Sequence, residues 1–335
     1  MLISVVFSFR NEEKVISELV RRTVDVLVRL GPYELIFVND ASTDSSADVL
    51  QSLRATNDDI KIINMSRRFG VTPCVIAGMA EAKGDVVIYM DSDLQDPPEI
   101  IPELLRKWKE GAEVVHTVRT KRHGESLLKM WVTVFAYKMI NAFSDIDFYE
   151  NAGDFKLLSR RAVAELLKLN EHDPYLRGLS FWIGFSQAVV RYERDPRFSG
   201  DSKFGLFRSV NPYKEFVRGI TSFSGAPLYF ALILGFFVSI VSFLALGYVL
   251  LNKLMGFNMP GWTAIMAATL FLSGVILFTI GILGVYLGRI YEQLRGRPRY
   301  IVDNKFGFDE DNQSPYTPGA IKVRPAIADS MVPHE

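Results

Sequence analysis

The sequence predicts an α/β chain: a mostly parallel sheet covered by helices, then two membrane-spanning helices. Three observations carry this. Short apolar runs alternate with amphipathic stretches over roughly the first 120 residues, the pattern of strands buried between layers of helices. Two uncharged apolar segments of about 25 residues follow, each roughly 37 Å long as a helix, enough to cross a bilayer core. Basic residues flank those segments on one side only.

The runs "ISVVFSF" (3–9), "YELIFVN" (33–39), "IKIINM" (60–65), "VVIYM" (86–90) and "EVVHTV" (113–118) read as strands buried on both faces. Helical patterns lie between them at 14–30, 45–54, 72–82 and 100–109, with Asp44 placed to cap the second. "DPPE" (96–99) stops a strand and opens a helix at Ile100, which gives Asp96 and Glu99 a structural reading. The N-terminus has a short apolar run but neither a basic leader nor a small-residue cleavage site, so it reads as a strand and not as a signal peptide.

At 125–143, "ESLLKMWVTVFAYKMINAF" brings Leu128, Trp131, Val132, Phe135 and Met139 together at helical spacing with a thin polar face. It fits a buried core helix or a helix lying on a membrane surface, and the Trp and two Lys favour the surface. "NPYKEFVRGITSF" (211–223) has the same character.

The two apolar segments, 227–251 and 262–287, contain no charge. A soluble helix of that length would show a polar face. The stretch between them holds one cation, Lys253, whereas Lys203, Arg208, Lys214 and Arg218 precede the first segment and Arg289, Arg295, Arg297 and Arg299 follow the second. The positive-inside rule puts both termini in the cytoplasm. The last residues, polar and Pro-rich without a period, read as disordered.

The 335 residues carry 38 Lys plus Arg and 38 Asp plus Glu. A formal charge of zero gives no reason to expect nucleic-acid binding. The single cysteine, Cys74, excludes an intrachain disulfide and reads as a small buried apolar residue. His116, His123, His172 and His334 have no metal-ligand spacing.

Chemistry concentrates at the strand ends, where ligands of parallel α/β sheets bind. Asp91 and Asp93, with Gln95 beyond, stand at the carboxyl end of the 86–90 strand. Two carboxylates in a partly dry cleft repel one another unless a cation compensates. Mg²⁺ and Mn²⁺ take oxygen ligands, commonly one or two carboxylates plus substrate phosphates. "VNDASTD" sets Val38 and Asp40 at a second strand end, where Asp40 could accept from a base or ribose edge.

In order along the chain, "SFRNEE", "VNDASTDSS", "DSDLQDPPE", "GDFKLLSR" and "RFSGDSKF", ending in two apolar spans, resemble a family-2 glycosyltransferase of GT-A fold. The nearer resemblance is to polyprenyl-phosphate sugar transferases: dolichol-phosphate mannose synthases and bacterial undecaprenyl-phosphate (bactoprenol) glucosyltransferases. It covers roughly residues 1 to 300.

The resemblance implies a GT-A Rossmann-like domain over 1–207, an interfacial juxtamembrane helix over 208–225, two transmembrane helices over 226–290 and a cytoplasmic tail over 291–335. It places Ser8, Arg10 and Glu12 at the nucleotide, with Ser8 replacing the usual Pro and Arg10 the usual aromatic residue. Val38 and Asp40 fall at base-binding positions. Asp91, Ser92, Asp93 and Gln95 match the segment that holds metal and diphosphate, with Asp91, Asp93 and Gln95 as ligands of Mg²⁺ or Mn²⁺. Arg119 matches an arginine after the fifth strand that contacts the nucleotide sugar. Arg197, Ser202 and Lys203 match the arm that meets the phosphates of donor and lipid, with Phe204 replacing Tyr.

The reaction so implied moves one hexose, glucose from UDP-glucose, to undecaprenyl or another polyprenyl phosphate, with inversion. Asp93 and Asp154 are its catalytic residues. Asp154 stands where the family's base is usually placed. A phosphate monoester, with a second pKa near 6, is already mostly dianionic at neutral pH, so Asp154 has two open roles: base, or orienter of a sugar hydroxyl. A processive polysaccharide synthase is the nearest alternative, but its Q-x-x-R-W motif is absent; "YLRGLSFWIG" (175–184) occupies the comparable region. A non-catalytic, membrane-tethered sugar-nucleotide-binding module is the other, against which Asp91, Asp93 and Asp154 stand. Small residues such as Gly281 and Gly284 permit the spans of two copies to pack into a homo-oligomer.

Overall fold

The structure is a computed structural model, and it describes residues 1–119, 152–193, 226–255 and 261–308. One eight-stranded sheet organises it. In chain order the strands are β1 (Ile3–Phe9), β2 (Tyr33–Asn39), β3 (Ile60–Met65), β4 (Val86–Asp91), β5 (Val114–Arg119), β6 (Ala152–Ser159), β7 (Gln187–Tyr192) and β8 (Val302–Phe306). Their spatial order is β7-β5-β6-β4-β1-β2-β3-β8. The central β4-β1-β2-β3 block is parallel, as is β5-β7, whereas β6 and β8 run antiparallel to their neighbours.

All seven residues of β1 and six of seven in β2 are buried, as their near-continuous Val, Ile and Phe content requires of strands covered on both faces. The intervening helices are α1 (Ile16–Leu27), α2 (Ser46–Arg54), α3 (Val71–Glu81) and α4 (Ile101–Lys109), the last entered through a 3₁₀ turn at Pro98–Ile100. α5 (Arg160–Lys168) and α6 (Leu176–Trp182) follow β6.

Two apolar layers sandwich the sheet. Phe7, Phe37, Ile62 and Ile88 pack with α1, α2 and α4 on one face. Val6, Ile36, Ile63 and Val87 pack with α3 and α5 on the other. Gly78 lets α3 approach β1, since a Cβ there would stand 2.4 Å from Val6 Cγ1. That contact sets the start of α3 beside the ends of β1 and β2.

Two corrections to the sequence reading follow. Asp44 is not the cap residue of α2; Ser45 holds that position, and the Asp44 carboxylate accepts from the N–H groups of Ser46 and Glu13. Val302–Phe306, read as tail, is an edge strand of the sheet, paired to β3 from Ile62 to Met65. Its short, mixed sequence "VDNKF" lacks the apolar run that marks the inner strands.

Between β7 and β8 lie α7 (Ala226–Leu254) and α8 (Trp262–Leu294). Both are long and apolar enough to cross a membrane, at 29 and 33 residues. The protein does not bury them: Leu244 and Leu277 are each 70% exposed, unlike the side chains of a core helix. They touch one another through an edge-to-face pair, Phe230 on Phe278. α8 runs about two turns past the segment read as a span. At its end Gln293 accepts from the His172 N–H at 2.7 Å and donates to the Asn170 carbonyl. The interfacial helices expected at 125–143 and 208–225, and the disordered end beyond 308, lie outside the described residues.

Candidate active site

Four strands deliver side chains to one face of the sheet at its carboxyl edge. Register pairs Val38 of β2 with Ser8 of β1, and Ser8 with Asp91 of β4. Tyr89 pairs with Lys156 of β6, the last regular pair between these strands; Asp154 lies two residues before Lys156, where β6 turns irregular, near enough for its charge to act on Asp91. Val38, Ser8 and Asp91 thus form one row, since alternate residues of a strand share a face, and Asp154 lies near its Asp91 end.

The loops beyond that edge are bent sharply. Asn11, Ala41 and Leu94 have φ of 56°, 51° and 58°, the only left-handed non-glycine residues among those described. Each follows one of β1, β2 and β4. Left-handed backbone at a non-glycine residue costs about 1–3 kcal/mol and persists where the surroundings hold it, commonly at ligand sites.

Arg10 Nη1 donates to the carbonyls of Asp40 and Ala41 at 2.8 and 3.1 Å. Asn11 Oδ1 accepts from the Thr43 N–H, and the Glu12 N–H donates to Ser46 Oγ. The Asp40 carboxylate accepts from the N–H groups of Phe69 and Gly70 at 2.6 and 3.1 Å. Asp40, expected to face a base or ribose edge, therefore anchors the start of α3, where the helix end favours a negative charge. Arg10 likewise braces the loop after β2.

Asp91 is the electrostatic centre. It accepts from the Tyr89 hydroxyl at 3.0 Å. Burial pushes its carboxyl well above the usual range, and Asp96, Asp154 and Asp93 add to the effect against the single offset of Arg119. Asp93 folds its carboxylate over its own turn, with Oδ1 accepting from the Gln95 N–H at 3.2 Å; Ser92 between them is buried. Gln95 enters this turn through its backbone.

Arg119, at the end of β5, faces Asp96 at 3.5 Å and donates from Nε to the Tyr192 hydroxyl at 3.2 Å. Tyr192 in turn donates to Asp96. The expected nucleotide contact of Arg119 thus starts from a residue already tied into the loop that carries the carboxylates.

Asp154 has a partner that the sequence reading passed over. Arg177 of α6 grips it with two parallel bonds, Nε to Oδ1 at 3.2 Å and Nη2 to Oδ2 at 2.6 Å. Burial alone would raise the Asp154 carboxyl, but the charge and hydrogen bonds of Arg177 outweigh it and hold the group well below the usual carboxylate range. Behind it sits Lys156, buried, with Nζ donating to Ser180 Oγ at 2.9 Å; burial lowers its pKa to about 8. His116 stacks on Phe181 at 3.8 Å and stays neutral, burial and then Lys156 lowering its pKa to about 3. Arg177 lies in the "YLRGLSFWIG" stretch, where a charge at the start of an apolar helix was the available signal.

Among the described residues no three His, Cys, Asp or Glu side chains close around a cation. The hard oxygens of Asp91 and Asp93 nonetheless fit Mg²⁺ or Mn²⁺, which take one or two carboxylates when substrate phosphates complete the shell. The upward push on Asp91 shows a cluster short of positive charge. Arg197, Ser202 and Lys203 lie outside the described residues.

Comparison with known proteins shows which family the chain belongs to. The sequence profile of "Glycosyl transferase family 2" matches residues 4–167. "Uncharacterized glycosyltransferase YkcC" of Bacillus subtilis (strain 168) is 40% identical over 308 residues, 91% of this chain and 94% of the relative. "Bactoprenol glucosyl transferase" of Shigella phage SfV is 38% identical over 308 residues, 91% of this chain and 99% of the relative. Among solved structures, glucosyl-3-phosphoglycerate synthase from Mycobacterium tuberculosis, in complex with Mn²⁺, UDP-glucose and phosphoglyceric acid, aligns with a TM-score of 0.42 at 23% identity, covering 65% of this chain and 76% of that one.

Proposed function

This chain belongs to glycosyl transferase family 2, and we propose that it transfers one glucose from UDP-glucose to a polyprenyl phosphate such as undecaprenyl phosphate, with inversion. The observation that carries the reading is the row of Ser8, Val38 and Asp91 at the sheet's carboxyl edge, with Asp154 near its end, in a chain 38% identical along nine-tenths of its length to a relative named for bactoprenol glucosyl transfer.

A divalent ion held by Asp91 and Asp93 would neutralise the departing diphosphate. The chain's own groups do the rest. Ser8 and Val38 form the floor on which the nucleoside rests, with Arg10, Glu12 and Asp40 fixing the loops around it. Arg119, beside Asp91, offers its guanidinium to the diphosphate side of the site. Ser92, buried between the two aspartates, holds the turn.

Asp154 stays ionised because Arg177 compensates it. A carboxylate so stabilised is a weak proton acceptor, and a dianionic phosphate needs little deprotonation. Asp154 therefore orients a sugar hydroxyl or stabilises positive charge developing on the ring, and does not serve as base. Arg197, Ser202 and Lys203 would meet the lipid phosphate.

α7 and α8 span the membrane in this reading, with the sheet and both termini in the cytoplasm. The return of the chain from α8 into β8 supports it: the far end of the hairpin is joined to the same sheet that carries the site.

The test is a screen of UDP-glucose, UDP-N-acetylglucosamine and GDP-mannose against undecaprenyl phosphate with the purified full-length chain, with Mg²⁺, with Mn²⁺ and with chelator. The expected product is lipid carrying one glucose, formed only with metal. Sugar polymer, or no transfer from any donor, would overturn the reading.

A further inference from the structure

Three asparagines stand side by side on adjacent strands. Register pairs Asn39 of β2 with Asn64 of β3, and Asn64 with Asn304 of β8. Their side chains form a directed chain of hydrogen bonds. Asn39 Nδ2 donates to Asn64 Oδ1 at 2.9 Å, and Asn64 Nδ2 donates to Asn304 Oδ1 at 2.7 Å. Asn304 Nδ2 passes the series on to Asp303 Oδ2 at 2.8 Å. At the other end, Asn39 Oδ1 accepts from the Ser42 N–H at 2.9 Å.

Ser42 belongs to the bent loop after β2, next to Ala41 with its left-handed backbone. The ladder lies on the face opposite Val38 and Ser8, since Asn39 follows Val38 along the strand. It reaches the loop from behind. Arg10 and Asn11 tie the same loop from the β1 side; the ladder ties it from β3, beside the Asp40 bonds to Phe69 and Gly70.

An asparagine in such a row must have its amide turned one way, because its oxygen accepts and its nitrogen donates. The direction is fixed at the two ends, where the Ser42 N–H can only donate and the Asp303 carboxylate can only accept; Asn304 joins the row to Asp303, its oxygen taking the Asn64 N–H. Asn39 is buried, so each of its polar atoms needs a partner. The residue that completes the row arrives 240 positions later in the chain than Asn64, after both apolar helices.

We infer that Asn304, on the strand that follows the second apolar helix, is a positioning residue for the nucleotide-donor loop, and that β8 completes the donor site from behind. The inference rests on the reading of the loop after β2 as part of the donor site. β8 is held to its place independently of Asn304 by the Ser66 N–H donating to the Ile301 carbonyl at 3.0 Å and by the Lys305–Glu81 ion pair. Removing the Asn304 side chain therefore interrupts the ladder while the strand stays paired.

The test uses the full-length chain in detergent. UDP with Mg²⁺ is titrated calorimetrically against wild type, Asn304→Ala, and the double variant Asp303→Asn with Asn304→Asp, which keeps the net charge and the acceptor facing Asn64. Turnover is measured in parallel with each substrate varied. Loss of one net hydrogen bond's worth of loop order predicts a rise in UDP Kd and donor KM of roughly two- to twelvefold in Asn304→Ala. The KM for the lipid stays unchanged, and the double variant recovers most of the loss. A lowered thermal midpoint with unaltered UDP Kd would make Asn304 a merely structural residue and overturn the inference. Failure of the wild type to bind UDP, by contrast, would overturn the donor-site reading itself, and the inference with it.

Discussion

Replacing Arg177 with Met tests the ion pair on which the orienting role of Asp154 rests. The pair retains 33% exposure at Asp154 and 25% at Arg177. Breaking a fully buried pair by removing one partner costs about 3–5 kcal/mol, and the residual solvent screening of this one reduces that to roughly 2–3 kcal/mol. For a domain of this size the loss corresponds to a fall of roughly 5–10 °C in thermal midpoint. The sign with pH is fixed by the direction of the shift. Asp154 is held below its ordinary pKa of 3.8, so the pair's stabilisation is fully present above that value and fades as pH falls below it. The gap between wild type and Arg177→Met should be constant from pH 8 to 5 and narrow only in more acid solution. A double-mutant cycle with Asp154→Asn should return most of the loss as coupling. In turnover, any acid limb near pH 6 belongs to the lipid phosphate, whose second pKa lies about there, and Asp154→Asn should keep it at reduced rate. Additive stabilities in the cycle would refute the pairing, and loss of that limb in Asp154→Asn would make Asp154 the base after all.

Three further outcomes are expected. Alanine at Asp91 or Asp93 should lower turnover at least about 100-fold, in line with the several kcal/mol of charge stabilisation a bound metal supplies; excess chelator should do the same to wild type and added Mn²⁺ reverse it, and full turnover in chelator would sink the metal assignment. Lys156 carries a pKa lowered by burial to about 8 from 10.5, so the unfolded chain binds its proton more tightly and wild-type stability should climb between those two values; Lys156→Met should lack that climb, read as thermal midpoints from pH 7.5 to 10.5. Gly78→Ala would push a methyl to 2.4 Å from Val6 Cγ1 and should cost about 1–3 kcal/mol, with UDP binding weakened because the N–H groups that Asp40 holds, on Phe69 and Gly70, lead directly into α3; an unchanged midpoint would contradict the close packing of α3 on β1.

What the sequence disclosed follows from how far each signal reaches along the chain. The inner strands announce themselves because both faces are buried: Val5, Phe7, Ile36 and Ile88 sit at 0% exposure, so apolar residues run unbroken and the ends of the run mark the ends of the strand. The carboxylates were legible for the same reason, since Asp91 breaks such a run at its carboxyl end. β8 has no such run. An edge strand with one open side needs only a short mixed segment, and "VDNKF" is indistinguishable from loop until β3 is beside it. β6 was visible as the motif around Asp154 but not as a strand, because Asp154 and Lys156 interrupt its apolar residues. Those two charges are tolerable only through partners elsewhere in the chain, Arg177 for one and Ser180 for the other.

The same distinction divides the site. Residues proposed to meet the ligand stand at or near strand ends, where the local pattern marks them. Residues that set the charge and orientation of those groups do not: Arg177, Tyr192, Lys156 and Asn304 act across 23, 96, 24 and 240 positions on Asp154, Asp96, Ser180 and Asn64. No periodicity links such pairs, because their chemistry depends on which strands the fold makes adjacent. The order β6-β4-β1-β2-β3-β8 is what brings Asp154 near Asp91 and Asn304 beside Asn64. A carboxylate can thus be recognised as a candidate catalytic group from a local pattern, while its protonation state is decided by topology. The local pattern around Asp154 accordingly gives no sign of the Arg177 that α6 brings against it.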